Sequence, residues 1–203
     1  MRLTTPAIIL SLRTHGEHGA VVRMLTPDHG LVAAYIRGAR GRRMRPVLLA
    51  GNGVEARLSA RTEAQLPQAE VELTRSRAPL LSEPLPAAVI AWSTVLTAQS
   101  LPERQPYPAL YQGLDGLLEA VMAAPSASGW GPALLSYEVL LLAELGFGLE
   151  PGEMARAAAD WLPGLAITGR RIRRHLLERH GETAWDARER LTHGLRRSAG
   201  LVA

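Results

Sequence analysis

Thr26-Pro27-Asp28-His29-Gly30-Leu31-Val32-Ala33-Ala34-Tyr35-Ile36 decides the fold of this chain. Pro, Asp and Gly crowd into five residues that spell a turn, and a six-residue apolar run rich in strand formers follows. The same punctuation repeats on both sides. Upstream, Ala7-Ile8-Ile9-Leu10-Ser11-Leu12 and Ala20-Val21-Val22-Arg23-Met24-Leu25 are strand candidates, separated by the turn material Thr14-His15-Gly16-Glu17-His18-Gly19. Downstream come Val47-Leu48-Leu49, the turn Ala50-Gly51-Asn52-Gly53, the alternating run Val54 to Ala60 and a last strand from Ala69 to Leu73. Five or six short strands parted by turns predict a small closed barrel, which leaves no exposed sheet edge.

Beyond Arg77-Ala78-Pro79 the period changes from two to about 3.6. Helices are expected over Pro84–Leu101, Ala109–Ala124, Ala133–Leu145, Leu165–His180 and Ala184–Arg197, with loops at Pro102–Pro108 and Pro125–Pro132. The third helix is apolar over most of its circumference, which places it at the centre of a bundle, and Gly146 and Gly148 read as its stop. Trp92, Trp130, Trp161 and Trp185 are assigned to the helical core. The expected architecture is therefore α+β and multidomain: a β-barrel over residues 1–78 and an α-helical domain over residues 79–203.

Composition narrows the function. The 203 residues carry a net charge of +4, and every one of the 23 Lys-plus-Arg positions is Arg. Cysteine is absent, which excludes disulfides, a thiolate nucleophile and cysteine-ligated zinc, and fits a reducing compartment. Met1-Arg2-Leu3-Thr4-Thr5-Pro6 lacks the apolar core of a signal peptide. The most apolar stretch, Leu134 to Leu149, is interrupted by Glu138 and Glu144 and is too short to span a bilayer. A cytoplasmic protein without a membrane partner is expected. No nucleophile–base pair, carboxylate pair, phosphate loop or dinucleotide fingerprint stands out, so no enzyme and no cofactor is expected. His15, His18 and His29 lack the further ligands that a metal site needs, and Glu138 and Glu144, six apart, fall on different helix faces.

The segment after the third strand carries the chemistry. Arg37-Gly38-Ala39-Arg40-Gly41-Arg42-Arg43-Met44-Arg45 places five guanidinium groups in nine residues, spaced by glycines. Arginine forks match phosphate oxygens in charge and geometry, and loops on rigid scaffolds collect function. Arg37, Arg40, Arg42, Arg43 and Arg45 are the candidate DNA-binding residues; the alternative is a solvated basic loop that aids solubility. A second cluster, Thr168-Gly169-Arg170-Arg171-Ile172-Arg173-Arg174-His175, extends a nucleic-acid track, grips an acidic peptide, or is an outer face neutralised by Glu178, Glu182 and Asp186. Tyr35 is the one aromatic of the barrel region, so base stacking there has little support and binding is expected to be mainly electrostatic.

Three groups of residues together resemble the bacterial recombination and repair family RecO. They are Gly16-Glu17-His18 with Val21-Val22, Leu25-Thr26, His29-Gly30 and Arg37-Gly38-Ala39-Arg40; then Arg75-Ser76-Arg77; then Tyr137-Glu138-Val139-Leu140-Leu141-Leu142-Ala143-Glu144-Leu145-Gly146-Phe147-Gly148-Leu149. The resemblance implies that the barrel is an OB fold. It also implies a repair and recombination mediator that binds single- and double-stranded DNA and anneals complementary strands. Its implied partners are RecR, the acidic C-terminal tail of single-stranded-DNA-binding protein and, indirectly, RecA, in association with the nucleoid. Arg104, Arg170, Arg171 and Arg174 are candidates for holding that tail. Many relatives carry a cysteine-bearing zinc insertion after the third helix. Here residues 150–163 are a cysteine-free, reduced remnant, and no metal is carried over. Two other readings stay open: a protein-interaction adaptor whose basic loop touches no DNA, and an RNA-binding barrel.

Overall fold

The computed structural model describes residues 2–62, 65–177 and 182–200. Five strands close a barrel: β1 (Arg2–His15), β2 (Gly19–Thr26), β3 (Gly30–Ile36), β4 (Gly53–Ser59) and β5 (Gln68–Arg75). Their order around the barrel is β1-β2-β3-β5-β4. All pairings are antiparallel except the closing contact, where Tyr35 of β3 meets Gln68 of β5 in parallel. This is the OB-type barrel expected, and among the described residues six helices follow it.

The run Ala7-Ile8-Ile9-Leu10 does not alternate because both of its faces are covered. Ala7 and Ile9 point into the barrel with Ala20, Val22, Met24, Ala34, Ala56 and Leu58. Ile8 and Leu10, with Leu25 and Leu31, join the helical core instead. Small alanines beside large aliphatics suit a narrow, tapering interior. A bulge between Ile9 and Ser11 shifts the register of β1, and the β1–β2 hairpin then runs on past the core to its exposed tip.

One expected strand is absent. Val47-Leu48-Leu49 is not extended: Val47 and Leu48 both donate backbone N–H to the Met44 carbonyl, at 3.0 Å each. The whole stretch from Arg37 to Leu48 is wound into successive turns. It is a loop built of turns.

The helices are α1 (Pro84–Ser100), α2 (Pro108–Ala123), α3 (Ala127–Glu144), α4 (Pro151–Ala159), α5 (Trp161–His175) and α6 (Glu182–Ser198). A short 3-10 turn, Ala78–Ser82, leads in. Proline opens α1, α2 and α4, where its missing N–H has no intrahelical partner to lose. The loop expected over Pro125–Pro132 is largely helix, because α3 starts at Ala127 and carries Pro132 inside it. Pro132 sacrifices one ladder bond, and burial of Trp130 and Leu134 just beside it outweighs that loss. The stop at Gly146 is as read. With φ at 82°, Gly146 donates to the Ala143 carbonyl and Phe147 to that of Leu142.

Residues 150–163 fold as α4 and the first turn of α5. Glu150 and Glu153 close a capping box on α4. The Glu150 N–H, then Arg171, hold the Glu153 carboxyl below its usual range. Helix α5 begins four residues before the expected Leu165, capped by Asp160, whose side chain accepts the Leu162 N–H. Of the expected fourth helix, His180 lies outside the described residues, as do Glu178 and the side chain of Glu182.

Trp92 and Trp130 are fully buried in the helical core, while Trp161 and Trp185 are half-buried against it. Within that core sits an ion pair that the periodicity conceals. Glu138 of α3 is fully buried and bonds the Arg188 guanidinium of α6 through both carboxylate oxygens. Its Oε1 also accepts the Trp92 Nε1–H at 2.7 Å, and its Oε2 accepts the Thr168 hydroxyl. Arg188 reaches the Leu165 carbonyl and lies 4.9 Å from the Trp92 ring centroid. One carboxylate thus ties α1, α3, α5 and α6 together.

A buried pair broken on one side leaves an uncompensated charge, which costs about 3–5 kcal/mol. Arg188→Ala should lower stability by about that amount in denaturant unfolding. Arg188→Met combined with Glu138→Leu should lower it less than either single change. Equal losses in all three variants would contradict the pairing.

Candidate nucleic-acid interface

The arginine segment is amphipathic on a small scale. Ala39 and Leu48 are buried in the barrel core, and Met44 and Val47 pack against it. Arg37, Arg40, Arg42, Arg43 and Arg45 are all exposed. Its turns close through Gly41 N–H to the Gly38 carbonyl at 2.9 Å and Met44 N–H to that of Gly41 at 3.0 Å. Two guanidinium groups are oriented by backbone carbonyls. Arg40 Nη1 donates to the Glu17 carbonyl of the β1–β2 hairpin at 3.1 Å, and Arg45 Nε donates to the Arg40 carbonyl at 3.0 Å. Each anchor uses one of five donors.

Several arginines elsewhere in the chain are tied to carboxylates. Arg23 faces Glu103, Arg57 faces Glu55 and Glu72, Arg171 faces Glu153, and Arg188 faces Glu138. Among the described residues, no carboxylate pairs with any of the five segment arginines. Five like charges held together without counter-charges create a field that only an anion relieves. A groove of about 1180 Å³ runs beside them, lined by Arg2, Tyr35, Arg37, Arg43 and Arg57. Glu55, Glu70 and Glu72 also line it, so its positive character belongs to the arginine side.

The segment is mounted by a residue that turn composition gives no reason to single out. Asn52 is completely buried. Its Nδ2 donates to the Pro46 and Val47 carbonyls at 2.8 and 3.0 Å, holding the end of the arginine segment. Its Oδ1 accepts the backbone N–H of Arg77 at 2.7 Å, where the chain leaves the barrel. The Arg77 side chain is buried, with Nη2 at 3.2 Å from Asp115 and 2.6 Å from Glu119 of α2. Arg75 shares both carboxylates, at 3.3 and 2.9 Å. Burial, and then the Asp115 charge, push the neighbouring Tyr111 phenol above its ordinary pKa. Among the described residues, Arg77 Nε and Nη1 are buried without a partner. Arg77 is legible in sequence only as part of the lead into the helices, because a charged residue carries no burial signal of its own.

The histidines serve local structure. The His29 N–H donates to the Thr26 hydroxyl at 3.2 Å, His18 lies 3.9 Å from the Glu17 carboxylate, and His15 meets Tyr35 edge-on.

Of the four arginines assigned to a peptide tail, Arg170, Arg171 and Arg174 lie on α5 and Arg104 lies between α1 and α2. Arg104 sits in the α1–α2 connection, with its N–H on the Leu31 carbonyl of β3. Arg171 is tied to Glu153 at 2.6 Å and to the Gly148 carbonyl at 2.8 Å. Arg174 is exposed on α5. Arg170 lines a groove of about 460 Å³ between α5 and α6, with Leu162, Pro163, Trp185, Arg188 and Arg196. Arg188 and Arg196 went unnoticed in sequence, since α6 reads there as a plain charged face.

The family described as Recombination protein O N terminal matches residues 1–77, and Recombination protein O C terminal matches residues 86–164. A "DNA repair protein RecO" from Rhodospirillum centenum is 40% identical over 156 residues, covering 76% of this chain and 61% of that protein. One from Caulobacter vibrioides is 37% identical over 171 residues, covering 83% and 69%. One from a Bradyrhizobium species is 31% identical over 250 residues, covering 100% and 99%. The chain thus spans about three fifths of the first relative's length and nearly all of the last.

Asn52→Ala removes a donor and an acceptor from buried backbone groups, which costs about 1–3 kcal/mol. We expect that loss in thermal unfolding, together with faster amide exchange at Met44–Leu48 than in β2. Unchanged exchange in the segment would mean that Asn52 does not mount it.

Proposed function

The chain belongs to the RecO family of DNA repair proteins, and from that premise we propose that it is a non-catalytic DNA-binding mediator of repair and recombination. The arginine segment grips the phosphate backbone of single- and double-stranded DNA. The observation that carries this reading is the set of five exposed guanidinium groups without carboxylate partners, on a segment anchored by Ala39, Leu48 and Asn52. A field fixed in place binds phosphates without first ordering a loop, which removes part of the entropic cost of association. Arg37, Arg40, Arg42, Arg43 and Arg45 screen the repulsion between two strands, so that complementary bases meet and anneal. In the setting that the family name brings, such a mediator works with RecR to help load RecA onto DNA covered by single-stranded-DNA-binding protein.

The groove between α5 and α6 supports a docking site for that protein's acidic tail. Leu162, Pro163 and Trp185 offer apolar walls, and Arg170 and Arg196 offer charge to carboxylates. An adaptor without DNA contact would leave the segment arginines without a role, and an RNA binder would prefer RNA in direct competition.

Two experiments test these readings. About five contacts on a single strand predict a slope of log affinity against log salt of about −3 to −4. The triple variant Arg40/Arg42/Arg43→Ala, checked for folding, should flatten that slope by about 2. A slope near zero, or equal slopes for both proteins, would overturn the DNA reading. For the groove, a tail peptide should bind and the same peptide lacking its terminal apolar residue should not, with Arg170→Ala weakening the full peptide several-fold. Equal binding of the two peptides would remove the groove from the account.

A further inference from the structure

Tyr35 is placed in a way that phosphate binding alone does not use. It lies on the outer face of β3, half-buried, at the point where β3 meets β5. Its ring is seated on Gly19 of β2. A Cβ at Gly19 would stand 2.1 Å from the Tyr35 hydroxyl oxygen and 2.4 Å from Cε2 and Cζ, so the seat exists only because residue 19 has no side chain. His15, opposite Gly19 in the hairpin register, meets the ring edge-on at 6.0 Å with the planes at 82°. The hydroxyl makes no hydrogen bond among the described residues. A tyrosine held by its neighbours yet left partly open is a rigid aromatic surface with little rotamer freedom left to lose.

Its surroundings place that surface beside the phosphate-binding groups. Tyr35 and Arg37 both line the groove beside the arginine segment, with Arg43. Arg13 shares the outer face: the register runs Arg13–Val21–Tyr35 across three strands. Arg40, through Glu17, ties the arginine segment to the hairpin that carries His15. A backbone passing over Arg37 and Arg43 therefore runs past the ring of Tyr35.

We propose that Tyr35, braced by Gly19 and His15, stacks an unpaired base of a strand held by Arg37 and Arg43, and so sets a preference for single-stranded over double-stranded DNA. This rests on the DNA-binding reading above and adds a specificity determinant to it. A duplex hides its base faces inside the stack, whereas a single strand can offer one to the ring. Sequence pattern argued against stacking because a lone aromatic makes no continuous platform. One ring on a glycine seat takes one base, and the phosphate contacts supply the remaining affinity.

The test uses three oligonucleotides of equal length: single-stranded, duplex, and single-stranded with abasic sites in place of its bases. They are titrated against wild type, Tyr35→Phe, Tyr35→Leu and Gly19→Ala, each checked for native circular dichroism and thermal unfolding. Tyr35→Phe should bind like wild type. Tyr35→Leu should lose about 5- to 100-fold on the single strand, the range expected for one stacked base, and little on the duplex or the abasic strand. Its salt slope should match that of wild type, because no phosphate contact is removed. Gly19→Ala, which leaves the ring chemistry intact but evicts it from its seat, should behave like Tyr35→Leu. If Tyr35→Leu weakens all three ligands equally, or none, the stacking proposal fails while DNA binding stands. If wild type binds none of the three with a salt-dependent affinity, the DNA reading itself fails.

Discussion

The side chain of Asn52 joins the arginine segment to the rest of the fold. Its amide closes the segment onto the barrel through the carbonyls of Pro46 and Val47, and its carbonyl receives the N–H of Arg77. Arg77 in turn is clamped by Asp115 and Glu119 of α2. A single buried amide thus relates three parts of the chain that are distant in sequence: the basic surface, the exit of the barrel and the second helix. Buried amides are costly unless bonded, and both polar atoms of the Asn52 side chain are bonded. The basic surface and the helices therefore meet in one defined arrangement rather than as beads on a linker.

The arginines that serve the fold and those of the segment differ in their partners. Arg77, Arg171 and Arg188 are matched to carboxylates and serve the fold. The five of the arginine segment carry no such match and project into solvent. Where a protein leaves like charges together without compensation, it tolerates self-repulsion in the free state that a bound polyanion relieves. Glu138 with Arg188 shows the opposite case. There, opposite charges are buried together and bonded to groups of α1, α3, α5 and α6.

Much of this was legible in the residues. Turn chemistry at Thr26–Gly30 and the apolar runs on either side located β2 and β3 almost to the residue, and Gly146 marked the end of α3. What escaped has identifiable causes. Val47-Leu48-Leu49 has strand composition, yet Met44 and Leu48 gain more by wrapping over the barrel end, so packing overrides propensity. Pro132 argued for a loop, but a helix with a buried Trp130 tolerates the loss of one hydrogen bond. Asn52 reads as part of a turn, and nothing in the pattern marks Glu138, Arg77 or Arg188 as buried. Hydrophobic periodicity has no symbol for a polar group whose partner lies 25 to 50 residues away in the chain. Composition singles out the arginine segment, whereas its turns and its lack of carboxylate partners among the described residues needed the fold.

The central claim is that DNA lies on the barrel across the arginine segment, mounted as described. Amide hydrogen exchange with and without a saturating single-stranded oligonucleotide tests it most directly. The account predicts added protection in residues Gly38–Val47 and in the β1–β2 hairpin, with α2 and α3 unchanged. Protection confined to α5 and α6, or none at a saturating concentration, would contradict it.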